Sequence, residues 1–335
     1  MPEPLAQQLT AQRLFGHHRF QPTLLLVLGL DLAAAQDARG AYATITAAMS
    51  RKAGKNTPTN ADEAVISDFG RDWRRFTQAD LSAEDREDAF ARYFLIFPWE
   101  RLPSHAVGFD LGCGTGRWAL QVAPRVGTLH CIDPSDAIDI ARSNLAAVSN
   151  CQFHRAGVQD MPLADGSCDF GYSLGVLHHV PDTAAAVASC VRKLKPGAPL
   201  LLYLYYAMDN RPWWFRAIWR CTDTIRRLVS SLPGRARFAV CDAIAVCVYW
   251  PLSRLARVAE RLGLPVAAFP LSFYRRYGFY VLRTDALDRF GTKLERRFRR
   301  AEIAAMMEAA GLSDIRFSDG EPRWCAIGFR SDGPV

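Results

Sequence analysis

Short apolar runs alternate with helical periodicity through the middle of this chain. Runs at 107–111, 128–132, 151–154, 169–174 and 199–206 have the length of strands and are bounded by Gly, Pro, Asp or Asn. Between them, 116–124, 135–148 and 182–194 carry the spacing of helices, and Lys195-Pro196-Gly197 stops the last of these before the fifth run. A helix over 301–310, ended by Gly311, is followed by strands at Ile315–Ser318 and Trp324–Phe329. Upstream, Ile66, Phe69, Trp73 and Phe76 recur at helical spacing. Strand–helix alternation of this kind predicts a doubly wound α/β fold, a mostly parallel sheet with helices on both faces.

Residues 207–282 break the rhythm. A minimal α/β fold needs one helix there, and the chain spends a long helical insertion. On a helical wheel Trp214, Ile218, Cys221, Ile225, Leu228 and Leu232 form one stripe, opposite Arg216, Arg220, Asp223, Arg226 and Arg227. Further on, Leu252, Leu255, Val258 and Leu262 face away from Arg254, Arg257 and Arg261, and Pro251 is expected to kink or end a helix.

Charge is concentrated in the same insertion. It holds twelve arginines, no lysine and four acids, a net +8, while the whole chain is +7. The basic balance therefore belongs to the insertion and not to the α/β part. Three readings fit: a cap whose apolar stripe packs on the core with arginines in water, an interfacial helix on an anionic membrane, or a surface for RNA phosphates. At 335 residues, half of them apolar, the chain can bury a full core. Its nine cysteines contain no C-x-x-C pair, so neither a disulfide scaffold nor a metal site is expected, and a cytoplasmic location is. Leu24–Leu30 follows His17-His18-Arg19 but is interrupted by Asp31, and export is not expected. Positions 51–61 read as a polar linker, which leaves residues 1–60 as an appendage, folded or disordered.

The chemistry starts at Val107-Gly108-Phe109-Asp110-Leu111-Gly112-Cys113-Gly114-Thr115-Gly116, a strand that enters a helix through three alternate glycines. Such a turn lets a ligand reach bare backbone amides at a helix start. The dinucleotide spacing G-x-G-x-x-G fails because its third position is Arg117, and the Lys-Ser/Thr end of a Walker loop is absent. The second strand ends in Asp133, about twenty residues on, where doubly wound folds hold ribose hydroxyls; an N-cap before Pro134 is the alternative role.

The pattern D-x-G-x-G-x-G resembles the first motif of class I S-adenosylmethionine (SAM) methyltransferases. Cys151–Leu163 resembles their adenine-side loop, with Gly157 where relatives carry an acid. Asp165–Val180, ending Leu177-His178-His179-Val180, resembles the fourth strand and tail of the type 11 branch. The resemblance spans Phe69 to about Arg330, the insertion excepted. It implies a seven-stranded sheet in the order 3-2-1-4-5-7-6 with the last strand antiparallel. The parts are then a SAM-binding half at 61–206, an Arg-rich helical cap at 207–282, and a closing helix and hairpin at 283–335. It implies SAM as cofactor, held by Asp110, Gly112, Gly114, Gly116, Asp133, Gly157, Val158, Ser173 and Leu174. His178 and His179 are candidate bases, set against simple packing, and the helix carrying Phe69 and Trp73 is a candidate lid. Tyr205, Tyr274, Arg283 and Arg289 are candidate acceptor contacts, by position. The expected activity is methylation at O, N or C of a small or lipid-linked metabolite, with peripheral contact to an anionic membrane. An RNA methyltransferase and a non-catalytic SAM-binding module are the alternatives.

Overall fold

The computed structural model describes residues 60–332 except positions 79, 210, 211, 268 and 321–323, so the expectations for residues 1–59 lie outside the described residues. Two helices come first, α1 (Glu63–Arg75) and α2 (Ala83–Tyr93). Each is started by a side-chain cap: Asp62 accepts from the amides of Ala64 and Val65, and Ser82 from that of Asp85. The sheet region follows as β1 (Val107–Leu111), α3 (Ala119–Val122), β2 (Thr128–Ile132), α4 (Ala137–Asn144), β3 (Cys151–His154), β4 (Phe170–Leu174), α5 (Thr183–Lys193) and β5 (Pro199–Tyr203). The cap helices are α6 (Trp213–Ser230), α7 (Gly234–Ile244), α8 (Trp250–Arg261) and α9 (Phe279–Gly291), and α10 (Arg300–Ala309), β6 (Leu312–Phe317) and β7 (Cys325–Arg330) close the chain.

The seven strands form one sheet in the order β3-β2-β1-β4-β5-β7-β6. β1 to β5 run parallel, and β7 is antiparallel to both β5 and β6. This is the order and direction that the resemblance implies. The pleat divides the core: Leu201 points into one apolar layer with Trp118, Ile138 and Tyr172, while Leu200 and Leu202 point into the other with Ile132, Leu177 and Met307. β5 ends at Tyr203, three residues before the expected 206. There the backbone turns to the segment before α10, with Phe298 donating to Tyr205 O at 2.8 Å and Ala207 donating to Phe298 O at 2.9 Å.

The cap has its own core of Val229, Cys241, Tyr249, Leu282, Leu287 and Phe290. α9 belongs to it and runs across the boundary expected at 282/283. Pro251 does not end a helix. A π-helical turn at Ala245–Tyr249 sits directly before it, and Gly234–Arg261 is one continuous helical segment.

The arginines are not all in water, contrary to the wheel. Arg237 is fully buried, with Nη2 at 2.6 Å from Asp72 and Nη1 at 3.2 Å from Asp68 and 3.1 Å from Gly291 O. It fastens α7 to α1. Burial pushes Asp72 up to about 7 against the pull of this guanidinium. Arg226, also buried, donates to the carbonyls of Thr292 and Lys293 and to Asp223. In exchange the apolar stripe of α6 faces solvent: Ile218 is 49% exposed and Leu228 65%.

Candidate active site

All three glycines of the first turn have positive φ: +75° at Gly112, +53° at Gly114 and +83° at Gly116. This is the left-handed region that side chains with a Cβ avoid. Their surroundings differ. A Cβ at Gly112 would lie 2.3 Å from Val176, and one at Gly116 2.8 Å from Leu145, so both glycines also serve packing. A Cβ at Gly114 would face the indole of Trp73 at 3.5 Å. The space between Gly114 and Trp73 belongs to a cavity of about 470 Å³ that Gly112, Thr115, Asp133, Ser135 and Leu174 also line. That volume lies in the ordinary range of small-molecule sites.

Asp133 sits at the end of β2, buried at the cavity wall. Its Oδ2 accepts from Gly114 N at 3.0 Å, and its Oδ1 from Ser135 N at 2.9 Å and Ser135 Oγ at 2.6 Å. It therefore ties the glycine turn to the loop before α4 and is not the N-cap, a position held by Asp136. A carboxylate has about four acceptor sites, so one remains for a ligand hydroxyl. Burial raises its pKa, and the hydrogen bonds from Ser135 and Gly114 oppose the rise.

Other expected cofactor residues lie elsewhere. Asp110 is buried outside the cavity, with neither oxygen hydrogen-bonded; the Tyr172 hydroxyl is near but not in bonding geometry. Burial pushes Asp110 up to about 8. Ser173 is fully buried and donates to Leu111 O at 2.9 Å, which makes it a strand tie, while its neighbour Leu174 does line the cavity. Gly116 and Val158 do not reach the cavity, and Val158 packs in the core. Gly157 lines a shallow neighbouring pocket with Pro134, His154 and Arg155.

The cavity continues from the glycine turn into a chamber under the cap. Tyr205, Tyr249, Phe273, Tyr274, Asp285 and Asp288 line it, and Arg289 lies at its wall in a pair with Glu295 at 3.0 Å. Arg283 does not reach it, because Asp242 and the ring of Phe76 hold its guanidinium. Val281, Thr284, Asp285 and Asp288 form the chamber face of α9. The Tyr205 hydroxyl donates to Asp288. Burial pushes Asp285 up to about 6; the Tyr274 and Tyr249 hydroxyls beside it favour its charge, and Asp288 disfavours it.

The two histidines separate. His178 is fully buried outside the cavity, its ring 3.8 Å from that of Tyr205 and both nitrogens without partners. Burial holds its pKa well below the usual histidine range, and the ring packs away from the cavity. His179 lines the cavity. Its Nδ1 lies 2.6 Å from Leu294 O, and a carbonyl only accepts, so Nδ1 carries the proton. The lone pair is then on Nε2, which is buried without a partner.

Comparison with known proteins agrees with this architecture. Residues 109–202 match the family described as a methyltransferase domain. The chain is 33% identical over 113 residues to the ubiquinone biosynthesis O-methyltransferase of Hahella chejuensis, covering 33% of this chain and 45% of that protein. It is 31% identical over 112 residues to the tRNA (carboxymethyluridine(34)-5-O)-methyltransferase ALKBH8 of Macaca fascicularis, covering 32% of this chain and 16% of that protein. The chain thus spans less than half the length of either relative. Among solved structures, a SAM-dependent methyltransferase of Methanosarcina mazei superposes with a TM-score of 0.42 at 17% identity, covering 69% of this chain and 95% of that one. Residues 109–202 thus carry a methyltransferase domain, set in a sheet with the strand order of the class I S-adenosylmethionine-dependent methyltransferase fold.

Proposed function

We propose that this chain transfers a methyl group from SAM to a hydroxyl oxygen of a small or lipid-linked metabolite with an aromatic or apolar body. The observation that carries this reading is the single cavity joining the glycine turn and Asp133 at one end to the tyrosine-walled chamber with Asp285 at the other. The cofactor end fits SAM: a strand-to-helix turn whose glycines leave its backbone open to a ligand, a strand-end carboxylate with a spare acceptor site, and a gap under Trp73 that any side chain at position 114 would enter. When bound, SAM supplies a methyl group on an already activated sulfur leaving group. The protein is left to align donor and acceptor and to keep water out. A phenol or alcohol keeps its proton at neutral pH, so a base is needed, and His179 Nε2 offers a buried lone pair for that proton. Several curated relatives are named O-methyltransferases, which fits a hydroxyl acceptor.

The reading is tested by titrating SAM calorimetrically, then following S-adenosylhomocysteine release with phenolic and isoprenoid-tailed hydroxyl acceptors. Turnover on at least one such acceptor is expected. SAM binding without turnover on any hydroxyl, amine or carbon acceptor in a metabolite extract would make the chain a binding module.

Asp285 gives the reaction a pH limb. Ionised, it is a strong acceptor for a hydrogen bond from the acceptor's polar end; protonated, it keeps only the weaker acceptor of a neutral carboxyl. With its pKa at about 6, kcat/KM should fall as pH drops through 6. Asp285→Asn should flatten that limb and lower kcat/KM at pH 7.5 by roughly 10–100-fold, the value of a hydrogen bond to a charged group. An unchanged pH profile in the variant would remove Asp285 from acceptor binding.

A further inference from the structure

The outer side of the cap carries the strongest unexplained feature. α6 leaves Trp214, Ile218, Ile225, Leu228 and Leu232 in solvent, and α8 leaves Leu255, Val258 and Leu262 exposed, Leu262 by 72%. Isolated exposed apolar residues are ordinary, but rows repeating along two helices of one cap are not. The segment Gly234–Arg261 is by length and composition long and apolar enough to cross a membrane. It does not sit as a free span here, because Arg237, Cys241, Ala245, Tyr249, Ser253 and Ala256 bury one side of it against the protein. One face held by the fold and the other apolar and open is the arrangement of a helix lying along a surface.

Charge selects the surface. The three acids of α6 to α8 are all engaged: Asp223 with Arg226 and Arg227, Asp242 with Arg75 and Arg283, Glu260 with Arg275 and Arg276. Arg216, Arg220, Arg235 and Arg261 are exposed and form no ion pair among the described residues. The exposed surface of α6 therefore carries an apolar row and, across the helix from it, unneutralised arginines. A second copy of this chain would bring the same positive charge against itself. RNA would use the arginines and leave the leucines and tryptophans wet. A bilayer with anionic headgroups satisfies both, since apolar side chains enter the acyl boundary while arginines stay at the phosphates.

We propose that the exposed faces of α6 and α7–α8 dock this protein on anionic phospholipid surfaces. The docking stands on these surface residues and does not depend on the methyl-transfer reading. The test is flotation of the full chain with phosphatidylglycerol/phosphatidylcholine vesicles and with pure phosphatidylcholine vesicles, at low and high salt. Recovery with the anionic vesicles at low salt, weakening as salt shortens the screening length to below about 10 Å, is expected. Arg216→Gln, Arg220→Gln and Arg261→Gln together should lower partition on the order of 100-fold, at about fivefold per basic residue near an anionic surface. Ile218→Ser, Leu228→Ser and Leu255→Ser together should lower it as well. Both triple variants should keep the SAM affinity and melting temperature of the parent, since none of these residues lines the cavity. No recovery at low salt overturns the proposal. So does equal recovery with neutral vesicles, or loss in the arginine variant with none in the serine variant, which would mark a polyanion such as RNA. A stable dimer that the serine variant dissociates, without vesicle binding, assigns the face to a second copy and overturns it too.

Discussion

Gly114→Val is expected to raise the dissociation constant for SAM by at least about 100-fold, with the sheet intact by circular dichroism. Two effects combine. At φ +53° a residue with a Cβ pays on the order of 1–2 kcal/mol, and a β-branched one more. The added atoms would also enter the gap toward Trp73, whose indole lies 3.5 Å from an ideal Cβ. On the proposed reading that gap is the cofactor end of the cavity, so the side chain would compete with the ligand directly. The flanking glycines provide the control. Alanine at 112 or 116 would put a methyl 2.3 Å from Val176 or 2.8 Å from Leu145, inside the packed structure. Those variants should lose melting temperature before they lose a site, whereas Gly114→Val should lose the site with only a small change in melting. Isothermal titration calorimetry beside a thermal melt separates them. Normal SAM binding by the valine variant would mean that the turn is structural and the cofactor does not approach it.

Much of this architecture is legible in the sequence because the relevant signals are local. Apolar runs ending in Asp110 and Asp133 fix two strand ends, and the alternate glycines after Leu111 mark a positive-φ turn by residue type alone. What fails is the direction in which a side chain points. Ser173 and Leu174 are adjacent at the end of β4, and the pleat sends one into the core and the other into the cavity. His178 and His179 are equally adjacent and split in the same way. The wheel of α6 gives the apolar stripe but not what covers it. Asp68 and Asp72, far away in the chain, bury Arg237, and carbonyls at 292 and 293 bury Arg226, so the polar side of the cap turns inward. The Thr284, Asp285, Asp288 face of α9 has the period of a solvated stripe, and only the tertiary fold makes it a chamber wall.

His179→Ala is expected to lower kcat by roughly 10²–10⁴-fold, the usual contribution of a positioned general base, with SAM affinity unchanged. The argument rests on orientation. The loop after β4 turns back on itself, with His179 N donating to Val176 O at 2.9 Å, and Val176 and Gly175 line the same cavity. The imidazole is thus carried by a loop that borders the same cavity as the glycine turn and the tyrosine-walled chamber. Leu294 O fixes the tautomer from behind at 2.6 Å, and Phe69 packs on the ring with centroids 4.9 Å apart. A base held on two sides with its lone pair free costs little to align. His178→Ala should behave differently. That ring stacks on Tyr205, fully buried, and exchanges no hydrogen bond with the protein, so its loss leaves a cavity that lowers stability by about 2–4 kcal/mol, in the range of large-to-small core changes. His179→Gln keeps the volume without the basicity and should be nearly as slow as alanine. Single-turnover rates with a hydroxyl acceptor, measured beside thermal melts for all three variants, decide the matter. If His179→Ala and His179→Gln keep near-parental rates, the proton leaves by another route, and Asp285 becomes the residue to test next.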